Sequence, residues 1–195
     1  MNPRKADFSI DPIYLKRWSP RSFEERDLDE ETLYSLFEAA RWAPSGNNRQ
    51  PWRFIIARTA EQRETFYQFI NEGNLKWCKR APVLALIISE AENEEGRPLS
   101  SHAFDAGTAW GFLALEATRK GLITHAMGGF DKAKAKELLG IPDRFVPHAV
   151  IAIGYQGSPD QLAPEHRERE HPSDRRPLSE TLFDGTFGQT LEVRP

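Results

Sequence analysis

The chain is short of sulfur. Cys78 is the only cysteine among 195 residues, so no internal disulfide can form and no metal centre can rest on paired thiolates. No base is identifiable beside it, and a structural role is expected for it. The five histidines, His102, His125, His148, His166 and His171, lack HExxH or comparable ligand spacing, so ordinary core or surface roles are expected for them and no metal. Long apolar runs are missing as well. "APVLALII" (81–88) is far too short to cross a bilayer. Near the start, Arg4, Lys5 and Asp7 flank no apolar stretch, so no signal peptide is expected. Excess positive charge is absent too: the formal net charge is −3, which disfavours a nucleic-acid binder with a global basic field. There is no GxxxxGK[ST], no GxGxxG after a strand and no GxSxG elbow. These absences lead us to expect a soluble, cytoplasmic protein that binds neither nucleic acid nor membrane.

What is present is enough for one ordinary domain, with 39% hydrophobic and 11% aromatic residues. Asp29 precedes Glu30 and Glu31, and Leu33, Leu36, Phe37 and Ala40 share one helical face, so a helix is expected until Pro44 stops it. "WRFIIA" (52–57) reads as a strand. Thr59 and Gln62 form a capping box for a helix to about Ile70. "APVLALIIS" (81–89) reads as a strand buried on both faces. The acidic stretch 90–101 reads as a mobile loop that could cover a substrate. A helix is expected from Ala103 to Lys120, ended by Gly121, and another from Asp131 to Gly140. "HAVIAIGY" (148–155) is a further buried strand. Beyond Tyr155 the chain becomes a polar, irregular arm, suited to wrapping a partner subunit or to lying solvated.

Three clusters carry chemistry. In "RWSPRSF" (17–23), Pro20 disfavours helical backbone at Ser19. An extended segment would turn Arg17, Ser19 and Arg21 to one side, as a phosphate requires; two solvated arginines are the plain alternative. In "AMGGFDKAKAKELLG" (126–140), Gly128 and Gly129 lead into a helix start, where backbone can approach a flat ligand. The alternative is a flexible turn. In "RWAPSGNNRQPW" (41–52), a hydroxyl, amides and bare backbone gather in one loop. Here the alternative is a turn that satisfies itself.

The order of these pieces resembles the nitroreductase family of FMN-dependent oxidoreductases. It runs from "RWSPRSF" through "EAARWAPSGNNRQPWRFII", "EGNLKWCKRAPVLALII" and "FDAGTAWGFLALEATRKGL" to "MGGFDKAKAKELLGIPDRFVPHAVIAIGY" and "RRPLSE". The match covers nearly all of residues 17–180.

The resemblance implies an α+β fold with a mostly antiparallel central sheet flanked by helices, in an intertwined homodimer. It implies a single nitroreductase-like domain over 1–195, with 156–195 a C-terminal arm around the partner. Arg17, Trp18, Ser19 and Arg21 match the N-terminal FMN segment. Pro44, Ser45, Gly46 and Asn48 match a Pro-Ser-Ser-x-Asn pattern that reaches the flavin of the other subunit, while Asn47, Arg49 and Gln50 hold the loop. Asn74 matches an Asn near the ring edge. Met127, Gly128 and Gly129 match a segment whose backbone faces flavin N5. Arg175 and Arg176 match the basic pair that completes the phosphate site. The sequence departs from the pattern at Gly46, where many members carry Ser, and at Gly128, where some carry Glu. The implied activity is a ping-pong two-electron reduction. NADH or NADPH is the donor, and a small electron-poor acceptor such as a nitroaromatic, quinone or enone is the recipient. Arg21 and the Gly129 backbone are the candidates for tuning the flavin, since a cation and a backbone donor stabilise its reduced form. The alternatives are other FMN chemistry on the same fold (dehalogenation, dehydrogenation, flavin fragmentation) and a non-catalytic flavin-binding protein.

Overall fold

The computed structural model describes residues 4–191; of the domain and arm expected over 1–195, residues 1–3 and 192–195 lie outside that range. In chain order the elements are α1 (Ile13–Lys16), α2 (Glu30–Arg41), β1 (Trp52–Ala57), α3 (Ala60–Tyr67), α4 (Glu72–Cys78), β2 (Val83–Glu90), α5 (His102–Arg119), β3 (Ile123–Met127), α6 (Lys132–Leu139), β4 (Phe145–Gly154) and α7 (Pro164–Arg167). The four strands form one sheet in the order β1-β2-β4-β3, and every neighbouring pair is antiparallel. This is the α+β architecture expected from the sequence.

Helices cover both faces of the sheet, which is why β2 shows an unbroken apolar run rather than alternation. Leu84, Leu86 and Ile88 pack with Phe66, Phe69 and Trp77 on one side. Val83, Ala85 and Ile87 pack with Leu33, Leu36 and Leu113 of α2 and α5 on the other. Within the first core, Cys78 is buried, and that burial pushes its thiol up to about 12. A thiol held neutral is a poor nucleophile, so Cys78 serves packing.

Local signals set the starts of α2, α3 and α6. The Asp29 carboxylate accepts the Thr32 N–H at 2.7 Å, and the Thr59–Gln62 capping box closes reciprocally. Asp131 accepts from Lys134, and Gly140 ends α6 at a φ of 62°. α2 ends at Arg41 with Trp42 as its cap, just ahead of Pro44 as expected. One helix end differs from expectation. α3 stops at Tyr67 rather than near Ile70 because the chain there pairs with another segment. Ile70 bridges Phe130, Asp131 donates its N–H to the Phe69 carbonyl at 2.7 Å, and Asn71 donates to that of Gly129 at 3.1 Å. Neither α4 nor β3 has a strong periodic signature in the sequence. No helix among the described residues is long and apolar enough to cross a membrane.

Candidate functional site

The segment 17–23 is extended, as Pro20 demands, and it is fixed by pairing with the start of the arm. Gly157 donates its N–H to the Ser22 carbonyl at 2.9 Å, Glu24 donates to that of Tyr155 at 2.9 Å, and Phe23 bridges Gln156. A Cβ at Gly157 would sit 2.9 Å from the Phe23 backbone, so only glycine allows this approach. The Ser22 hydroxyl donates to the Ser158 carbonyl at 2.5 Å.

This pairing opens a cavity of about 370 Å³. Arg17, Trp18, Ser19 and Arg21 form one wall, His125 of β3 another, and Arg169, His171, Ser173 and Arg175 of the arm a third, with Arg4 at the edge. Arg4 staples these parts together. Its Nε donates to the Ser173 carbonyl at 2.7 Å, and its Nη1 donates to the carbonyls of Arg17 at 2.5 Å and Leu15 at 3.2 Å.

The electrostatics are one-sided. Burial lowers the pKa of Arg17, and Arg175 lowers it further. Burial likewise lowers that of Arg21, then Arg169, while Glu170 opposes them. For Arg4 the order is burial, Arg175 and Arg17, against Asp174. Among the described residues no ion pair involves Arg17, Arg21, Arg169 or Arg175. Guanidinium groups do not deprotonate in practice, so the cost of crowding them remains until an anion arrives. His125 faces the same cluster. Its Nδ1 lies 3.0 Å from the Pro20 carbonyl, which only accepts, so that nitrogen carries the proton. Burial, against the Pro20 hydrogen bond and with help from Arg21, pushes its pKa down to about 4. The imidazole is therefore neutral, and its Nε2 bears a lone pair. Its ring lies 4.5 Å from that of Trp77.

The remaining sequence-predicted residues fall into three places. Arg176 does not line this cavity. It lines an adjoining, more apolar one of about 500 Å³, with Phe8, Ile10 and Leu15, and Arg175 borders both. Asn74 and Gly129 do meet: Asn74 Nδ2 donates to the Gly129 carbonyl at 3.1 Å. A Cβ at Gly129 would lie 2.9 Å from that nitrogen. Met127 sends its side chain into the core and Gly128 is exposed, which leaves backbone at the surface.

The loop 44–50 is the third place, and it borders α5 rather than the cavity of its own chain. Ser45 Oγ accepts the Gln50 N–H at 3.0 Å, and Gln50 Nε2 donates to Asn48 O at 2.9 Å and Oδ1 at 3.0 Å. Gly46 donates its N–H to Asp105 Oδ2 at 3.2 Å, an oxygen that also accepts from Ser101 Oγ at 2.9 Å. Ser45 and Asn48 thus use polar atoms to shape the loop, as Gln50 does.

Sequence reasoning missed Arg4, His125 and Arg169. A lone histidine in a strand, or an arginine in the mixed-charge run "HRERE", has no local mark that separates it from surface. It also missed a buried cluster in which Ser89 Oγ lies 2.7 Å from His102 Nδ1 and 2.6 Å from His148 Nε2. Ser89 is fully buried, so this hydroxyl bridges two rings and is not presented to a substrate. No group of His, Cys, Asp and Glu that could hold a metal ion occurs among the described residues.

The chain is similar to known proteins. Residues 14–76 and 70–155 match the family model described as Nitroreductase family. A solved structure described as an oxidoreductase containing FMN has 41% sequence identity and a TM-score of 0.92, covering 97% of this chain and 98% of that one. A Mycolicibacterium smegmatis protein, described as an uncharacterized 15.4 kDa protein, is 34% identical over 151 residues, 71% of this chain and 99% of its own. A Streptomyces coelicolor protein provisionally named an NADH dehydrogenase/NAD(P)H nitroreductase is 29% identical over 171 residues, 74% of this chain and 85% of its own.

Proposed function

The chain belongs to the nitroreductase family, and from that premise we propose that it is an FMN-dependent NAD(P)H oxidoreductase that reduces small electron-poor acceptors such as nitroaromatics, quinones or enones. The observation that carries this reading is the cavity where half-buried Arg17 and Arg21 face Arg169 and Arg175, none of the four in an ion pair among the described residues, in a chain 41% identical to an oxidoreductase containing FMN. Its donor set fits a flavin mononucleotide: several guanidinium groups and the Ser19 hydroxyl for a dianionic phosphate, and apolar Trp18 with neutral His125 beside them.

When bound, FMN supplies a two-electron carrier between the nicotinamide and the acceptor. The chain's own residues bind and orient. Arg17 and Arg175 hold the phosphate, with Arg176 at the rim. Arg21 places positive charge where negative charge accumulates on reduction, a fixed charge that needs no reorganisation. Asn74 holds the Gly129 carbonyl, which fixes the direction of the Met127–Gly128–Gly129 backbone beside the ring.

A second copy of the chain completes the site in this reading. The loop with Pro44, Ser45, Gly46 and Asn48 lies away from its own cavity, at the surface beside α5. There α5 exposes Phe104 and Phe112, with Gly107 and Gly111 between them on the same face. An apolar helix face with glycines suits close packing against a twin. The arm lies on its own chain as far as Leu178; its end beyond Leu178 would extend along that twin, and the loop 90–101 would border the acceptor. A single, free cysteine suits the cytoplasm.

Purified protein tests the reading. The expected result is a yellow protein that NADH or NADPH bleaches under anaerobic conditions, and that an added quinone or nitroaromatic then reoxidises. A colourless protein that takes up no FMN would sink the cofactor assignment. A yellow protein that neither nicotinamide bleaches would overturn the donor.

A further inference from the structure

Glu170 lies between Arg169 and His171, which both line the cavity, yet its carboxylate turns to the backbone. Oε1 accepts the N–H of Arg21 at 2.8 Å and of Ser22 at 2.9 Å, and Oε2 lies 3.0 Å from the Arg21 nitrogen. Ser22 is fully buried, and a buried peptide N–H stripped of its acceptor is costly. The same carboxylate is the one negative group among the charges that act on Arg21, opposite Arg169.

We propose that Glu170 is a positioning residue, a clip that seats the arm on segment 17–23 so that Arg17 and Arg21 converge with Arg169 and Arg175 on one anion. The inference rests on the reading of that anion as the FMN phosphate. Four guanidinium groups repel one another, and past Leu162, which is buried in the core, and Glu165, which pairs with Lys76, the stretch that carries two of them is exposed or half-buried turn. Attachment must come from elsewhere. Glu170 supplies it at the base of the cavity wall, and Arg4 supplies it at the edge through Ser173.

The clip makes a prediction opposite in sign to simple electrostatics. A carboxylate near a phosphate site repels the phosphate, so as a bystander its removal tightens binding. As a clip its removal weakens binding, because the arm's arginines lose their place. The experiment compares the full chain with Glu170→Ala, Glu170→Gln and Glu168→Ala, the last removing the same charge from an exposed neighbour. FMN affinity is read by fluorescence quenching, and arm seating by trypsin cleavage after Arg167, Arg169 and Arg175 without FMN.

We expect Glu170→Ala to bind FMN about tenfold more weakly or worse, and its arm to be cut faster than the parent's. Glu170→Gln keeps one amide oxygen as acceptor and should fall between them, whereas Glu168→Ala should bind as tightly as the parent or more so. Parent-like affinity or parent-like cleavage in Glu170→Ala overturns the clip. A parent that binds no FMN would overturn the cofactor reading instead, and the cleavage comparison would still decide the seating.

Discussion

Arg17 and Arg21 keep their charge against surroundings that oppose it, since both are half-buried and face further arginines. Each is expected to contribute a charged hydrogen bond to the FMN phosphate or pyrimidine edge. Arg17→Ala and Arg21→Ala should each weaken FMN binding on the order of 1–3 kcal/mol; titration of apoprotein measures this, and parent-like affinity in both would refute the assignment. His125 links the same site to pH. Its pKa is about 4 in the fold against the ordinary 6.5 of a histidine, so between these values the unfolded chain binds more protons. Stability is therefore intact above pH 6.5 and declines as pH falls toward 4, by on the order of 3 kcal/mol at most. Denaturant unfolding of the apoprotein across that window should show the decline, flattened in His125→Gln. His148 is lowered in the same direction by burial, by His102 and by Lys132, so part of the slope should persist. At this scale the arginines were legible because RxSxR names a chemistry. His125 was not, because its burial comes from Trp77 and Pro20, distant in the sequence.

At the scale of elements, caps and turns carry short-range information. Thr59→Ala removes half of the α3 capping box and should cost about 1 kcal/mol in unfolding free energy, with FMN affinity unchanged, since α3 contributes nothing to the arginine cavity. The loop 44–50 behaves differently, because its shape depends on α5. A Cβ at Gly46 would lie 2.7 Å from Ser101 Oγ. Gly46→Ala should therefore push that hydroxyl off Asp105 and cost on the order of 1 kcal/mol. The same change in a Ser101→Ala background should cost less, and a double-mutant cycle would measure the coupling. This contact gives a physical reason for glycine where many family members carry Ser. The sequence showed the departure at Gly46 and could not show Ser101 beside it.

For the whole molecule, the decisive question is assembly. Phe104 is 80% exposed and Phe112 is 40% exposed on one side of α5, an apolar face that a second copy would cover. Light scattering should report a dimer. Phe112→Glu should shift it toward monomer and lower FMN retention in parallel, since the loop at 44–48 would no longer be delivered to a neighbouring site. A stable monomer that holds FMN as tightly as the parent would refute the shared site.

The sequence by itself determined the elements whose signals are local: the Asp29, Thr59 and Asp131 caps, the buried strands around Val83 and Ile151, and the glycine stops at Gly121 and Gly140. It also identified the family, because the order of short motifs survives where each motif alone is weak. Only the tertiary structure decided where α3 ends and what gathers around the cavity. The end of α3 depends on Ile70 meeting Phe130. The cavity depends on an arm that leaves at Gly157 and returns to segment 17–23 through Glu170. Periodicity and capping act over a few residues. Charge convergence from Arg4, Arg17, Arg21 and Arg169 is a property of contacts that chain folding alone creates.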